Sequence, residues 1–154
     1  MLTRKKHLLF PFQLSIKINT ERPDFRVVAA FLFASDQHNF DSDGNSYPFS
    51  SRKWTELELR SRIWDDYGFY LSRQKAKPLI FTICASRKYI AYAVAYFLAL
   101  ETQGHIIDHK GNIVELLHIK NKLKNFQLDK HLNFAKNSIW RQSSNGHSHP
   151  NLIT

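Results

Sequence analysis

Strand, helix and strand follow one another in residues 78–115, which read PLIFTICASRKYIAYAVAYFLALETQGHIIDHKGNIVE. Residues 79–85 form a continuous apolar run of strand length, and Ser86 is a suitable cap for the helix that follows. Gly104 stops this helix, and residues 105–108 return as a strand. Connections this short predict a right-handed crossover if the two strands run parallel.

Two further strands are predicted before this unit. Residues 8–20 alternate apolar with polar side chains, which is the period-two pattern of a half-buried strand. Residues 25–34 are almost continuously apolar, so they predict a central strand covered on both faces. We expect the two strands to pair as antiparallel neighbours.

A helix is predicted between the second strand and the central unit. Residues 35–51 form a polar loop, and a serine at its end suits a helix cap. From Arg52 onward the apolar residues follow helical spacing, while charged residues point away. The main stripe consists of Trp54, Leu57, Ser61, Trp64 and Leu71.

The C-terminal third predicts one more strand and then helices. Residues 113–116 form the strand, and residues 117–140 carry two helical patterns. The order ββαβαββ predicts an α+β fold, a ferredoxin-like sandwich. We expect a small, mostly antiparallel sheet, helices on one face and a C-terminal helical extension. Residues 1–140 would form a single domain, and the polar residues 141–154 a flexible tail.

The composition favours one folded domain with a basic surface. The chain has 154 residues, of which 43% are hydrophobic, and this is enough for a core. The formal net charge is +9, with lysine and arginine concentrated at residues 1–7 and after residue 117. Such an excess favours an acidic partner, either nucleic acid or an acidic protein surface.

The cysteine count and the hydropathy pattern predict a cytoplasmic protein. Cys84 is the only cysteine, so the chain forms no internal disulfide, which suits a reducing compartment. The longest apolar run, residues 89–100, has 12 residues, whereas a bilayer span needs about 20. We therefore expect no membrane partner.

No catalytic, cofactor-binding or metal-binding residue is predicted. Residues 39–45, NFDSDGN, match part of an EF-hand loop, but Ser50 stands where the bidentate glutamate belongs. Cys84 precedes a helix start, which could activate its thiol, but a buried core role is commoner. The eight histidines lack the spacing of a zinc site.

Two groups of residues are the candidates for partner binding. The tyrosines recur at helical spacing, and the lysines cluster after residue 117. They are Tyr89, Tyr92, Tyr96, Lys120, Lys122, Lys124 and Lys130. A tyrosine suits either the rim of a core or a partner contact. The lysines suit either a phosphate backbone or the solvated face of an amphipathic helix.

An alanine-rich helix followed by residues 104–111, GHIIDHKG, resembles small bacterial immunity proteins of polymorphic toxin systems, of the contact-dependent inhibition or type VI kind. In those proteins a helix followed by glycine, hydrophobic residues and an Asp-containing turn recurs. The resemblance implies a non-enzymatic protein that binds and blocks a cognate toxin in the cytoplasm, with no cofactor. Two alternatives stay open, a basic nucleic-acid-binding module and an enzyme of unrecognised type.

Overall fold

The computed structural model describes residues 10–150, in which seven strands form one sheet. The strands are β1 (Phe12–Lys17), β2 (Phe40–Gly44), β3 (Glu56–Ser61), β4 (Gly68–Lys75), β5 (Ile80–Ala85), β6 (His105–Ile107) and β7 (Ile113–Val114). The helices are α1 (Phe25–Phe33), α2 (Lys88–Thr102), α3 (Leu116–Asn121) and α4 (Leu128–Lys136), followed by a 3₁₀ turn at Ile139–Gln142. Residues 1–9 and 151–154 lie outside the described part, and with them the basic N-terminal segment, the start of the first predicted strand and the end of the predicted tail.

The strand order is β2-β3-β4-β5-β1-β6-β7, and every neighbouring pair is antiparallel. Strands β5 and β6, which α2 connects, are parallel to each other, because β1 lies between them and is antiparallel to both. In the same way β1 runs parallel to β4, with β5 between them. Two interlocked units of this kind form the split βαβ arrangement of a ferredoxin-like sandwich. The predicted α+β class and antiparallel sheet are confirmed.

The main core lies on the sheet face that α2 covers. Ile16 pairs with Phe81 across β1 and β5, and Leu71 pairs with Ile83 across β4 and β5; all four side chains are fully buried. Helix α1 packs against α2 on one side and α4 on the other. Alternation of side chains along the strands places Cys84 on the opposite face of the sheet.

The prediction of a strand at residues 25–34 is wrong, because this segment is helix α1. All nine of its residues are buried, including Arg26, so the helix has no polar face to reveal its period. A short apolar run of this kind has the same pattern in a buried helix and a buried strand. Asp24 caps the helix, its carboxylate accepting a 2.9 Å hydrogen bond from the Arg26 backbone N–H. The order of elements through β7 is therefore βαββββαββ rather than ββαβαββ.

The prediction of a helix from Arg52 to Leu71 is also wrong. This segment contains β3 and the start of β4. Leu57 and Leu59 are buried while Glu56 is exposed, which is the alternation of a half-buried strand. The same leucines also fit a helical stripe, because the segment is rich in apolar residues. The predicted loop before it contains the edge strand β2.

The central strand, helix and strand are confirmed as β5, α2 and β6. The residue with the left-handed backbone at the end of α2 is Gln103, with φ of 50°, and not Gly104. Gly104 has a different role: a Cβ there would lie 2.0 Å from the carbonyl oxygen of Lys17. Glycine therefore permits β1 to approach the chain where α2 ends.

The predicted tail contacts α1 over the part that the structure describes. The Arg26 guanidinium donates a 2.6 Å hydrogen bond to the Ser148 carbonyl oxygen and lies 4.0 Å from the centre of the Trp140 ring. The Ser143 hydroxyl donates a 2.6 Å hydrogen bond to the Asp24 carboxylate. These contacts join residues 141–150 to the body of the fold, while the flexibility of the segment stays a prediction.

Candidate interaction surface

A connected set of aromatic rings runs from the core toward the surface. In the core, Phe31 of α1 stacks on Phe97 of α2, with ring centres 4.3 Å apart. Phe126 and His131 contact the same Phe31, and their own ring centres are 4.1 Å apart. Tyr89 continues the set 6.1 Å from Phe126.

The outer end of the set lies at the turn between β3 and β4. Tyr67 lies 6.3 Å from Tyr89, and Trp64 lies 5.0 Å from Tyr67. The Ser61 hydroxyl oxygen accepts a 2.8 Å hydrogen bond from the Trp64 backbone N–H, which fixes the turn that carries the indole. Trp64 is 43% exposed and Tyr89 is 41% exposed. Two large rings therefore face solvent at the end of a packed aromatic set.

These rings line a groove of about 580 Å³, which we call the aromatic groove. Its walls come from three separate parts of the chain: the β3–β4 turn, the first turn of α2 and the segment from the end of α3 into α4. The lining residues are Trp64, Tyr67, Tyr89, Asn121, Lys122, Leu123, Lys124, Asn125, Phe126 and His131. The groove therefore has aromatic walls and a rim with two lysines.

A second depression of about 650 Å³ adjoins the groove and shares Asn121, Leu123 and Lys124 with it. It adds Lys120 and Lys130, together with Leu117, which is 66% exposed. We call the groove and this depression together the aromatic–lysine surface.

The lysines of this surface carry uncompensated charge. None of Lys120, Lys122, Lys124 and Lys130 forms an ion pair with any residue between 10 and 150. Among the lining residues that the structure describes, Asp129 is the one carboxylate, and it lies in the second depression. The surface is therefore positive. The described lining of the groove itself includes two lysines and no carboxylate.

His131, which lines the groove, and His38, which contacts its Trp64, add no charge to the surface near neutral pH. His131 donates its Nδ1–H to the Phe31 carbonyl oxygen at 2.6 Å, and burial lowers the pKa of its ring. His38 stacks on Phe33 at 4.1 Å and lies 4.4 Å from Trp64, and burial lowers its pKa as well. The positive charge of the groove comes from the lysines.

The structure separates the three predicted tyrosines. Tyr89 lines the groove, while Tyr92 is half-buried with the Lys122 ammonium 5.6 Å from its ring centre. Tyr96 is only 8% exposed and belongs to the core, so it is not available to a partner at the surface. All four predicted lysines lie on the aromatic–lysine surface.

Sequence reasoning missed the four ring-bearing residues of the groove other than Tyr89. They are Trp64, Tyr67, Phe126 and His131. Trp64 and Tyr67 were hidden by the incorrect helix prediction, which placed them on a buried face. The signal that could have found them is the polar turn SRIWDDYG at residues 61–68, in which a tryptophan between two alternating segments is exposed.

Cys84 and the Asp-rich loop, the other candidates for chemistry, lie in other parts of the fold. Burial raises the pKa of the Cys84 thiol to about 11, and the side chain lies with Phe10 and Tyr70 in a small buried cluster. The predicted Asp-rich loop is edge strand β2. Between residues 10 and 150 no group of three or more His, Cys, Asp or Glu side chains could hold a metal ion. In the same range no helix has the length and apolar character needed to cross a membrane.

No family model, curated protein or solved structure matches this chain. We therefore infer function from the shape, burial and charge of the aromatic–lysine surface.

Proposed function

We propose that the protein works by binding an acidic partner protein through the aromatic–lysine surface, as an immunity protein that neutralises a cognate bacterial toxin. One observation supports this most directly: Trp64 and Tyr89 are exposed beside lysines that form no ion pair with any residue between 10 and 150. Tryptophan and tyrosine are enriched among the residues that dominate binding energy at protein interfaces. Unpaired lysines around them favour a partner of opposite charge.

The arrangement resembles a protein interface in its anatomy. The apolar anchors lie in the groove, and lysines lie around it, as in interfaces with an apolar centre and a polar rim. Tyr67, the ring on which Trp64 packs, is also held in place before binding, because its hydroxyl donates a 2.7 Å hydrogen bond to the Leu32 carbonyl oxygen. Burial raises the pKa of Tyr67 well above its ordinary value, so this hydroxyl keeps its proton. A preorganised surface loses less conformational entropy on binding.

The experiment that tests this proposal is a search for a toxin reading frame beside this gene, followed by a protection assay with its product; absence of such a reading frame would count against the proposal. Cells that express the toxin domain should survive when they also express this protein. Lys122→Glu combined with Lys124→Glu should abolish protection, because the surface would then repel an acidic partner. Lys110→Glu is the matched control, since Lys110 is exposed in the turn between β6 and β7 and should leave protection intact. Failure of the unaltered protein to protect would refute the proposed function.

A second candidate, binding of single-stranded nucleic acid, has the same aromatic and basic groups in its favour. Base stacking on aromatic side chains together with a positive groove is the usual arrangement in proteins that bind single strands. The discriminating measurement is fluorescence anisotropy of a labelled oligonucleotide at several salt concentrations. Tight binding whose affinity falls steeply with salt would favour nucleic acid over a protein partner.

A further inference from the structure

We propose that the aromatic groove receives one aromatic side chain of the partner, flanked by carboxylates that meet Lys122 and Lys124. This inference rests on the proposed function and specifies which chemical group of the acidic partner occupies the groove. It is carried by three features of the groove: the angles between its rings, the rigidity of its walls and the distribution of its charge.

The rings of the groove are inclined to one another. The planes of Trp64 and Tyr67 meet at 82°, those of Tyr67 and Tyr89 at 54° and those of Tyr89 and Phe126 at 51°. Rings inclined in this way form a concave corner, in which an entering ring can be edge-on to one wall and offset-stacked on another. Such mixed contacts are the preferred geometry of aromatic pairs.

The same angles disfavour a row of stacked bases. Proteins that bind single strands present ring faces on which successive bases stack. Among the described rings of this groove the smallest angle between neighbours is 32°, between Phe126 and His131, and the other angles are 51° or more. In addition, no arginine of residues 10–150 lines the groove, although the planar guanidinium is the side chain best suited to phosphate and base recognition. The observations therefore favour an aromatic side chain over a nucleic acid.

The floor and walls of the groove are held by hydrogen bonds directed away from it. The Tyr67 hydroxyl is committed to the Leu32 carbonyl oxygen and the His131 Nδ1 to the Phe31 carbonyl oxygen, both on α1. Because α1 is buried along its whole length, these two rings are anchored to the core. At about 580 Å³ the groove is also within the size range of sites that enclose a ligand group.

The lysines that line the groove indicate which kind of residue lies on either side of the entering ring. Lys122 and Lys124 line it and have no acidic partner in the described chain. Asn121 and Asn125 add amide groups that can bond to the backbone of an entering segment. An aromatic residue between acidic residues therefore matches both the walls and the rim.

Peptide titration tests the inference. The probes are an acidic peptide of sequence DEFED, the same peptide with alanine in place of phenylalanine, and a peptide KKFKK. Binding is followed by NMR at the indole N–H of Trp64 and the ring of His131. We expect DEFED to bind at least about tenfold more tightly than either matched peptide, with shifts at both reporters.

Variants locate the binding. Tyr89→Ser and Lys122→Glu should each weaken DEFED about tenfold, while Lys110→Glu should leave its affinity unchanged. Circular dichroism establishes that each variant is folded, and both substituted side chains are on the surface. Weakening by Lys110→Glu equal to that by Lys122→Glu would contradict an assignment to the groove.

The remaining outcomes separate this inference from the proposed function. Equal affinity for DEFED and its alanine counterpart would overturn it, because charge alone would then explain binding. No binding of DEFED at millimolar concentration, together with protection that Lys122→Glu and Lys124→Glu abolish, would overturn the inference and keep the proposed function. If a short oligouridylate binds more tightly than DEFED and displaces it, the inference is overturned, and nucleic acid is the occupant of the groove.

Discussion

The two ends of the aromatic set contain the same kinds of ring but differ in what covers them. At the inner end, Phe31 is fully buried and stacked on Phe97 between two helices. At the outer end, Trp64 and Tyr89 lie beside lysines that form no ion pair within the described residues, and both rings are more than two fifths exposed. Rings at the inner end are buried away from water, so their burial contributes to the stability of the fold. Rings at the outer end are still partly exposed to water, so a partner can bury their remaining apolar area.

The difference between the ends follows from where each segment lies. The inner rings belong to α1 and α2, which other elements cover. The outer rings belong to the β3–β4 turn and to the first turn of α2, where neighbouring elements cover the side chains on one side alone. The comparison therefore predicts that substitutions at the inner end alter stability and substitutions at the outer end alter binding.

The largest expected effect is that of Phe31→Ala at the inner end. The change leaves a cavity beside Phe97 and Phe126, and we expect the free energy of unfolding to fall by about 3–5 kcal/mol. Urea denaturation followed by circular dichroism measures it. Phe49→Ala, at a half-exposed ring in a surface loop, is the control and should cost less than about 1 kcal/mol. Equal losses for the two variants would contradict the division between the ends.

Asp24→Ala should lower the free energy of unfolding by at least about 3 kcal/mol. The Asp24 carboxylate is fully buried and accepts hydrogen bonds from the Arg26 side chain at 3.0 and 2.7 Å. Its removal leaves the buried Arg26 guanidinium without its anion. Asp129→Ala, an exposed acid in α4, is the matched control, and urea denaturation of both variants gives the comparison. A loss below about 1 kcal/mol for Asp24→Ala would show that the pair does not hold the start of α1.

Charge reversal at the outer end should act on affinity and hardly on stability. For Lys122→Glu with Lys124→Glu we expect affinity for an acidic partner to fall at least about tenfold, which corresponds to about 1.4 kcal/mol. The free energy of unfolding should change by less than about 0.5 kcal/mol, because both lysines are exposed and neither forms an ion pair within residues 10–150. Calorimetric titration and urea denaturation of the same sample measure the two quantities. A loss of stability larger than the loss of binding would contradict a role at an interface.

The smallest expected effect concerns His131, which lies between the two ends. Burial lowers the pKa of His131 below the ordinary value of 6.5, so the unfolded chain binds this proton more readily than the folded one. Stability should therefore fall as the pH decreases through 6.5, and level off once the pH is below the folded-state pKa. His38, whose pKa is also lowered by burial, adds to the same trend.

The variant His131→Asn tests this contribution. Asparagine keeps a donor for the Phe31 carbonyl oxygen but does not titrate, so the pH dependence of stability between pH 7 and 5 should become shallower. Urea denaturation at several pH values measures the slope. His109→Asn, at an exposed histidine, is the control. An unchanged slope for His131→Asn would show that the ring does not resist protonation in the folded state.

The fold was predictable where the local pattern had one interpretation. Residues 79–108 combine an apolar strand, a helix of ordinary length and a returning strand, and the structure has all three. Residues 25–34 had two interpretations, because a segment that is buried on every side shows neither period. The decisive signal was Pro23–Asp24 before the apolar run, a helix start in which Asp24 caps α1.

The candidate site was predictable only in its charged part. Lysines stay at the surface in almost any fold, so Lys122 and Lys124 could be identified from their clustering alone. The aromatic walls come from segments far apart in the chain, and nothing local relates Trp64 to Phe126. Helical spacing put Tyr96 on the same stripe as Tyr89, but α2 passes from the surface into the core between them.

The position of β1 in the middle of the sheet has a consequence for synthesis of the chain. Strand β1 pairs residue 12 with residue 85 and residue 16 with residue 106. During translation β1 therefore waits until residues 80–85 have been synthesised before its first neighbour, β5, exists. Loops of this length make sheet formation slow, since their closure entropy must be overcome before the pairing contributes. The nascent chain consequently carries β1 unpaired until residue 85 has emerged, and paired along one edge alone until residue 107 has emerged.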